Sequence, residues 1–369
     1  MPALITHDFF GQDLYDRLFR TVGGTHDEAQ AFLLGNQGPD PLFYSIVNPS
    51  LREHNRLGSV MHNEKPSELM AAFKNSLDIL DEDDLPVGRA YAFGFVCHYT
   101  LDSLMHPLVY FNEYLLCDAG EPGLSRADGT EVHATIESEL DELVLFEKRG
   151  ETVETFSPWR EILQADDHVL DIVSKMYAYV ALVVYGRIIP QDMFAASVRG
   201  FRSAQKLFHS PTGRKRAVLG RIERLARPFS FYQSISHRPV KLTESAYDNH
   251  EHKAWEDPHT GTTSTDGFWD RYEQALDKAA ANIEAFARSG FDLDAARTLT
   301  GELDFSGRPV VATLVSVEDG KPSVQRGAEE ESLRKDDAAG ISGKEGSPGD
   351  GVVDATGKPA NAGSAEHGA

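Results

Sequence analysis

The sequence predicts an all-α protein followed by a disordered C-terminal tail, and three observations predict it. Apolar residues recur at helical spacing through most of the chain. Strand-type alternation is missing until Val310–Val317. Aromatic residues run as far as Phe305 and then stop, where Gly, Ser, Ala, Asp, Glu and Lys take over. Apolar residues form 41% of the 369, enough for a core, while the tail lacks the large side chains that would offset its conformational entropy. The expected organisation is a helical domain over 1–300, a linker over 301–314 and an acidic low-complexity tail over 315–369.

Along the chain, Leu14, Leu18 and Phe19 set the rhythm of a first helix, and Leu69, Phe73, Leu77 and Leu80 that of another. Pro66 opens the latter, because its fixed φ suits a first helical turn, where its missing N–H has no helical partner to lose. Between them, Gly35 to Asn63 is rich in Gly, Pro and Asn and is expected as a long loop, a place where function often resides. Further helices are expected over 88–105, 131–148, 167–187, 191–208, 215–226 and 268–288. Pro107 is expected to end the first of these by removing a donor. The last carries Tyr272, Leu276 and Ile283 and is expected to pack onto the rest of the bundle. The chain contains no internal repeat and no phosphate-binding glycine loop.

The formal net charge of −22 argues against clustered Lys and Arg neutralising a polyanion, so no stable nucleic-acid complex is expected. The basic run from Lys206 to Arg227, with Arg214, Lys215, Arg216, Arg221 and Arg224, reads as a solvated helix face ahead of a phosphate or lipid-headgroup patch. Cys97 lies in an apolar run, and with Cys117 it makes no disulfide framework. Cys97 also points to a different helix face from its neighbour His98, which excludes it as a nucleophile. The start, Met-Pro-Ala-Leu-Ile-Thr-His, lacks the basic and apolar regions of a secretory signal. The longest apolar stretch, Met176–Tyr185, is half the length needed to cross a bilayer. A cytoplasmic location is therefore expected, with any membrane contact peripheral.

The chemistry concentrates on two expected helices. In the first, His98, Asp102 and His106 are spaced by four, so all three project from one face of an otherwise apolar helix. Burying imidazoles with a carboxylate costs several kcal/mol unless something pairs with them, and a divalent metal suits all three. In the second, His133 and Glu137 form an i, i+4 clamp of the same kind. Asp40 sits between Pro39 and Pro41, a rigid setting that fixes its direction; His62 closes the same loop, and His7 lies beside Phe9 and Phe10. Taken singly, each has an ordinary reading: a turn cap for Asp40, a surface or core histidine for His62, solvated or salt-bridged side chains for either pair. His250 and His252 read as a solvated loop, since no second spaced cluster accompanies them.

The series His7, Asp40, His62, His98 with Asp102, His106, and His133 with Glu137 resembles the ligand order of the bacterial zinc-dependent phospholipases C, which share a helical fold with the three-zinc single-strand nucleases. The stretches GPDPLFY and HYTLDSLMHP carry the likeness, which covers residues 5 to about 140. It implies a multi-helix bundle of that type. It also implies that Asp40, His62, His98 and Asp102 hold one zinc, and His106, His133 and Glu137 a second. Asp102 would bridge toward a third held with His7, where secreted relatives add the amino terminus of a mature chain beginning with Trp. This chain begins Met-Pro, so two zincs are expected and the third is conditional.

The same resemblance implies hydrolysis of a phosphodiester by metal-activated water, with Asp40 as the catalytic residue that orients or deprotonates that water. A phospholipid-type substrate is expected, with Phe43, Tyr44, Phe111 and Tyr114 as an aromatic mouth. Two other readings stand beside it. One is a nuclease or small-molecule phosphodiesterase on the same scaffold; the other is a non-catalytic protein that zinc stabilises.

Overall fold

The computed structural model describes residues 3–120, 124–224 and 230–310, apart from the side chains of Ile46, Val47 and Pro49, together with the backbone of 315–318 and 321–324. Helix accounts for 67% and strand for 2%, so the all-α expectation holds. The chain opens with α1 (Leu4–Val22) and α2 (His26–Gly35). Thr25 caps α2 reciprocally: its hydroxyl accepts from Glu28 N at 3.2 Å, and the Glu28 carboxylate accepts from Thr25 N at 2.9 Å.

The segment expected as an open loop is instead organised. Two 3₁₀ helices, Asp40–Val47 and Pro49–His54, lead into α3 (Leu57–Asn63). Prolines in the first turn of both 3₁₀ helices suit a helical start, and Leu42, Leu51, Leu57 and Met61 are buried at intervals that give each turn an inner side. Pro66 begins α4 (Pro66–Asn75), as its position predicts.

The spine is α5 (Leu85–Cys117), 33 residues long. Pro107 does not end it, contrary to the sequence expectation. A proline inside a helix costs about 3 kcal/mol, but Met105, Leu108, Val109 and Asn112 on either side of it are all buried, and that packing carries the helix through. Helix α2 crosses α5 at glycines: a Cβ on Gly94 would lie 2.1 Å from Phe32 O, and one on Gly35 would lie 2.3 Å from Tyr91 O. Only glycine allows the two backbones this close.

Then follow α6 (Gly129–Arg149), α7 (Pro158–Glu161), α8 (Asp167–Tyr185), α9 (Met193–Phe208), α10 (Arg214–Glu223) and α11 (Phe231–Ser234). A two-residue hairpin, β1 (Trp255–Glu256) with β2 (Thr263–Ser264), precedes α12 (Phe268–Ala287) and α13 (Leu293–Thr300). Helix α8 is long and apolar enough to cross a bilayer, yet Val169, Val173, Met176, Tyr177 and Val180 are buried against protein, as in a core helix. Helix α10 leaves Arg214, Lys215 and Arg221 exposed and turns Arg216 inward to donate to Ser236 O and Gln233 O. Most of that basic run is thus a solvated face; Arg227 lies outside the described residues.

Residues up to Val311 form one unit and those from Ala312 a second. In the second, β3 (Val315–Glu318) pairs antiparallel with β4 (Lys321–Val324). Part of the expected alternation falls on β3, and the rest of the expected tail lies outside the described residues. The stretch 301–310, read from sequence as linker, belongs to the helical unit: Phe305 is 1% exposed.

One buried acid makes α1 sensitive to pH. Asp8 accepts from Gln12 Nε2 at 2.6 Å, and burial pushes its carboxyl up to about 7. A carboxyl raised in the folded state binds its proton more tightly there than in the unfolded chain, so stability falls as pH rises from about 4 to about 7. Asp8→Asn removes that loss. We expect the variant to match the parent near pH 4 and to exceed it at pH 8, by up to about 4 kcal/mol for a shift of this size. Urea unfolding at both pH values measures this, and equal stabilities at pH 8 would contradict it.

Candidate metal centre

Five elements converge on one buried cluster. His7 comes from the first turns of α1, Asp40 opens the first 3₁₀ helix, and His62 lies in the last turn of α3. Helix α5 presents His98, Asp102 and His106, and α6 presents His133 and Glu137. Their nitrogen and carboxylate atoms fall into three groups, within each of which all lie inside 4.8 Å: His7, Asp40 and His98; His62, His98 and Asp102; His106, His133 and Glu137.

Asp102 is the centre of the arrangement. Its Oδ1 lies 3.0 Å from His7 Nε2 and 3.9 Å from His106 Nδ1, while its Oδ2 lies 3.2 Å from His98 Nε2 and 4.0 Å from His62 Nε2. The two oxygens therefore face different groups, the geometry a bridging carboxylate needs. Asp40 Oδ1 is 3.1 Å from His62 Nε2, and Glu137 Oε1 is 3.4 Å from both His106 Nε2 and His133 Nε2.

Four of the five histidines are held by Nδ1. His62 Nδ1 donates to Gly58 O at 2.8 Å, His98 Nδ1 to Asn36 O at 3.1 Å, and His106 Nδ1 to Phe305 O at 2.8 Å. His133 Nδ1 donates to Glu113 Oε2 at 2.9 Å. A carbonyl or carboxylate can only accept, so Nδ1 carries a proton and Nε2 is the nitrogen turned toward the cluster. Supporting carbonyls and carboxylates that fix a ligating imidazole in this way are the usual surroundings of a metal-bound histidine. His98 is gripped further by Gly38, where φ is +49° and a Cβ would fall 2.1 Å from the His98 ring.

Burial would raise the carboxyl of Asp102, but the charges of His98, His106 and His7 outweigh it and hold the group well below its ordinary range. Glu137 behaves alike: against its burial, surrounding positive charge and hydrogen bonds from His106 and His133 keep it ionised. Burial would lower His106, yet Asp102 and Glu137 push it up to about 9, and His133 is likewise raised by Glu137 and Glu113. The cluster draws positive charge to itself. Protons meet that need imperfectly, because His98 Nε2 and His7 Nδ1 are buried without a hydrogen-bond partner among the described residues. Five imidazoles, three carboxylates and an orphaned Nε2 fit a divalent cation.

The chain matches no family model, no curated protein and no solved structure.

Access to the cluster is from one side. His98 is fully buried, whereas the side chains of His62, His106 and His133 are 13%, 14% and 15% exposed, so these three form the more exposed edge of the cluster. Of the expected aromatic mouth, Phe43 belongs to that edge, its ring 5.0 Å from His62. Tyr44 stacks on Phe201 at 4.0 Å, Phe111 packs on Trp255 at 5.6 Å, and Tyr114 lies under Arg126. The tyrosine that the sequence reading missed is Tyr110, 4.9 Å from the His133 ring and 6.0 Å from that of His106. One turn beyond His106 on α5, it shares that residue's face. A small cavity between the groups is lined by His7, Asp102, His106, Glu137, Met105 and Phe268. His250 and His252 pair instead with Asp248 at 2.7 Å and Asp270 at 3.3 Å, and both cysteines are buried and free.

Sequence spacing also missed two supports. Glu113 lies on the face of α5 that carries Tyr110 and His106, and its i+7 spacing from His106 was a signal available in the sequence. The second support is the loop at Phe305, which left no such signal. Phe305 O accepts from His106, Phe305 N donates to His62 O at 3.1 Å, and its ring lies 4.8 Å from His62 and 5.7 Å from His98. Glu113→Gln keeps the shape but weakens the acceptor behind His133. We expect the His106, His133 and Glu137 group to lose about 10- to 100-fold in metal affinity, read by competition with a chromophoric chelator. Unchanged affinity would remove Glu113 from this role.

Proposed function

We propose that the chain is a zinc-dependent hydrolase of phosphodiesters, with a phospholipid-type diester as its substrate class. The observation that carries the reading is the set of four histidines, each fixed through Nδ1, whose Nε2 atoms converge with Asp40, Asp102 and Glu137. The likeness to zinc-dependent phospholipases C in GPDPLFY and HYTLDSLMHP supports the substrate class. Asp40, His62, His98 and Asp102 would hold one zinc, and His106, His133 and Glu137 another. A third ion would rest on His7 and Asp102, with Asp40 and His98 within reach of His7.

Zinc bound there supplies Lewis-acid polarisation of a phosphoryl oxygen and a water whose pKa is near neutrality. The rest of the chemistry belongs to the side chains. Burial works to raise Asp40, but the hydrogen bond with His62 and the charges of His98 and His62 hold it below its ordinary value, so it is ionised at pH 7 and able to accept a proton from the attacking water. Phe43 and Phe305 flank His62 and cover part of its ring, leaving Asp40 in a buried setting where charge interactions are stronger than in water. Tyr110 forms the wall beside His106 and His133 against which a leaving group would rest.

Metal analysis of gently purified protein, with hydrolysis of a chromogenic phosphocholine ester and of single-stranded DNA, tests the reading. At least two zincs per chain are expected, with ester hydrolysis abolished by a chelator and restored by zinc. Less than about one metal per chain would overturn it. Zinc without hydrolysis of either substrate would leave a metal-stabilised protein, and preference for DNA would make it a nuclease.

A further inference from the structure

Helix α1 carries His7 yet cannot cap its own start. Ala3, at the cap position, has no side chain to accept from the first free amides, and no acid lies in the first turn. The acceptor comes from α6. Asp141 is 0% exposed and takes Ile5 N at 3.1 Å on Oδ2, and Thr6 N at 2.7 Å and the Thr6 hydroxyl at 2.6 Å on Oδ1. Its Oδ2 is also 3.0 Å from His237 Nε2, a buried imidazole from the segment after α11. No donor of this set lies closer than 96 residues along the chain.

The position of Asp141 on α6 gives this cap a further consequence. His133, Glu137 and Asp141 are spaced by four, so one stripe of α6 holds two candidate ligands and then, a turn later, the cap of the helix that bears a third. His7 itself has no such support: its Nδ1 is buried and has no hydrogen-bond partner among the described residues, unlike the four histidines fixed through that atom. What directs His7 Nε2 to within 3.0 Å of Asp102 is therefore the placement of the first turn of α1.

We infer that Asp141 is a positioning residue for the metal ion that His7 holds, acting as an N-cap supplied to α1 from α6. The inference rests on the metal-centre reading above. Helix dipole and cap work together here: a carboxylate against the free amides at a helix start is stabilised by their partial positive charge. The Thr6 hydroxyl then fixes the rotation of the first turn, and with it the direction in which the next residue, His7, projects.

The test compares metal content and affinity, by elemental analysis and chelator competition, in the full chain and in His7→Ala, Asp141→Asn and Thr6→Val. His7→Ala should lose one metal per chain. Asp141→Asn should reproduce the His7→Ala count while keeping the helical circular dichroism and the affinity of the His106, His133 and Glu137 group. Thr6→Val, which exchanges only the hydroxyl for a methyl, should fold even where Asp141→Asn does not, and should weaken that same metal by about fivefold, the scale of one hydrogen bond. Asp141→Asn or Thr6→Val binding every metal as tightly as the parent would overturn the inference, as would a His7→Ala variant that loses none. A parent chain that binds no metal would instead overturn the metal-centre reading.

Discussion

Asp102→Asn is expected to lower phosphodiester hydrolysis by about 10²- to 10³-fold, the scale of losing one preorganised charge-stabilising group in a buried site. The substitution keeps volume and one oxygen, so shape is not what is lost. Asp102 is the residue whose two oxygens face His7 and His98 at 3.0 and 3.2 Å. An amide retains an acceptor toward one of them and turns a donor toward the other, so it would not serve two cations as the carboxylate would. Metal content should fall with activity. In metal-free protein the loss also removes a charge that helps to raise His106, and breaking a buried ion pair costs about 3–5 kcal/mol. Full metal content with kcat/KM within tenfold of the parent would sink this account.

The second large effect is expected far along the chain from any candidate ligand. Phe305→Ala should destabilise the helical unit by about 3–5 kcal/mol, as for other fully buried aromatics. The ring is 1% exposed and meets Tyr99 at 5.0 Å and Phe95 at 6.0 Å, as well as His62 and His98. Its backbone joins α3 to α5 through His62 O and His106 Nδ1, and Tyr99 Oη donates to Leu303 O at 2.8 Å beside it. A cavity there should loosen both histidines, so metal affinity should fall with stability. Urea unfolding of the metal-free protein isolates the packing part, and a loss below about 1 kcal/mol would show that the loop is dispensable.

The ligand pairs on α5 and α6 were legible because an i, i+4 spacing is a local property: one helix, whatever it packs against, puts both side chains on one face. The rhythm of α1, α4, α8, α9 and α12 was legible for the same reason. Pro107 misled because its local penalty is real and only burial on both sides of it, which no window of sequence contains, outweighs it. The segment 35–63 misled differently. Gly, Pro and Asn signal a break in regular helix, but Leu42, Leu51, Leu57 and Met61 still needed an inner side, and short 3₁₀ turns met both demands.

By itself, then, the sequence determined the helical class, which residues could serve as ligands, and the one-face geometry of His98 with Asp102 and of His133 with Glu137. It also marked Asp40 as a carboxylate held between two prolines. Tertiary structure alone decided that five elements bring these residues within a few ångströms, and that four of the imidazoles turn Nε2 toward the cluster. It also decided that Phe305 and Asp141 stand behind them. The reason is separation along the chain. Asn36 O and His98 are 62 residues apart, Asp141 and Thr6 135, and Phe305 and His106 199. Contacts over such distances follow no period, so they leave no pattern in a sequence until packing closes the loops between them.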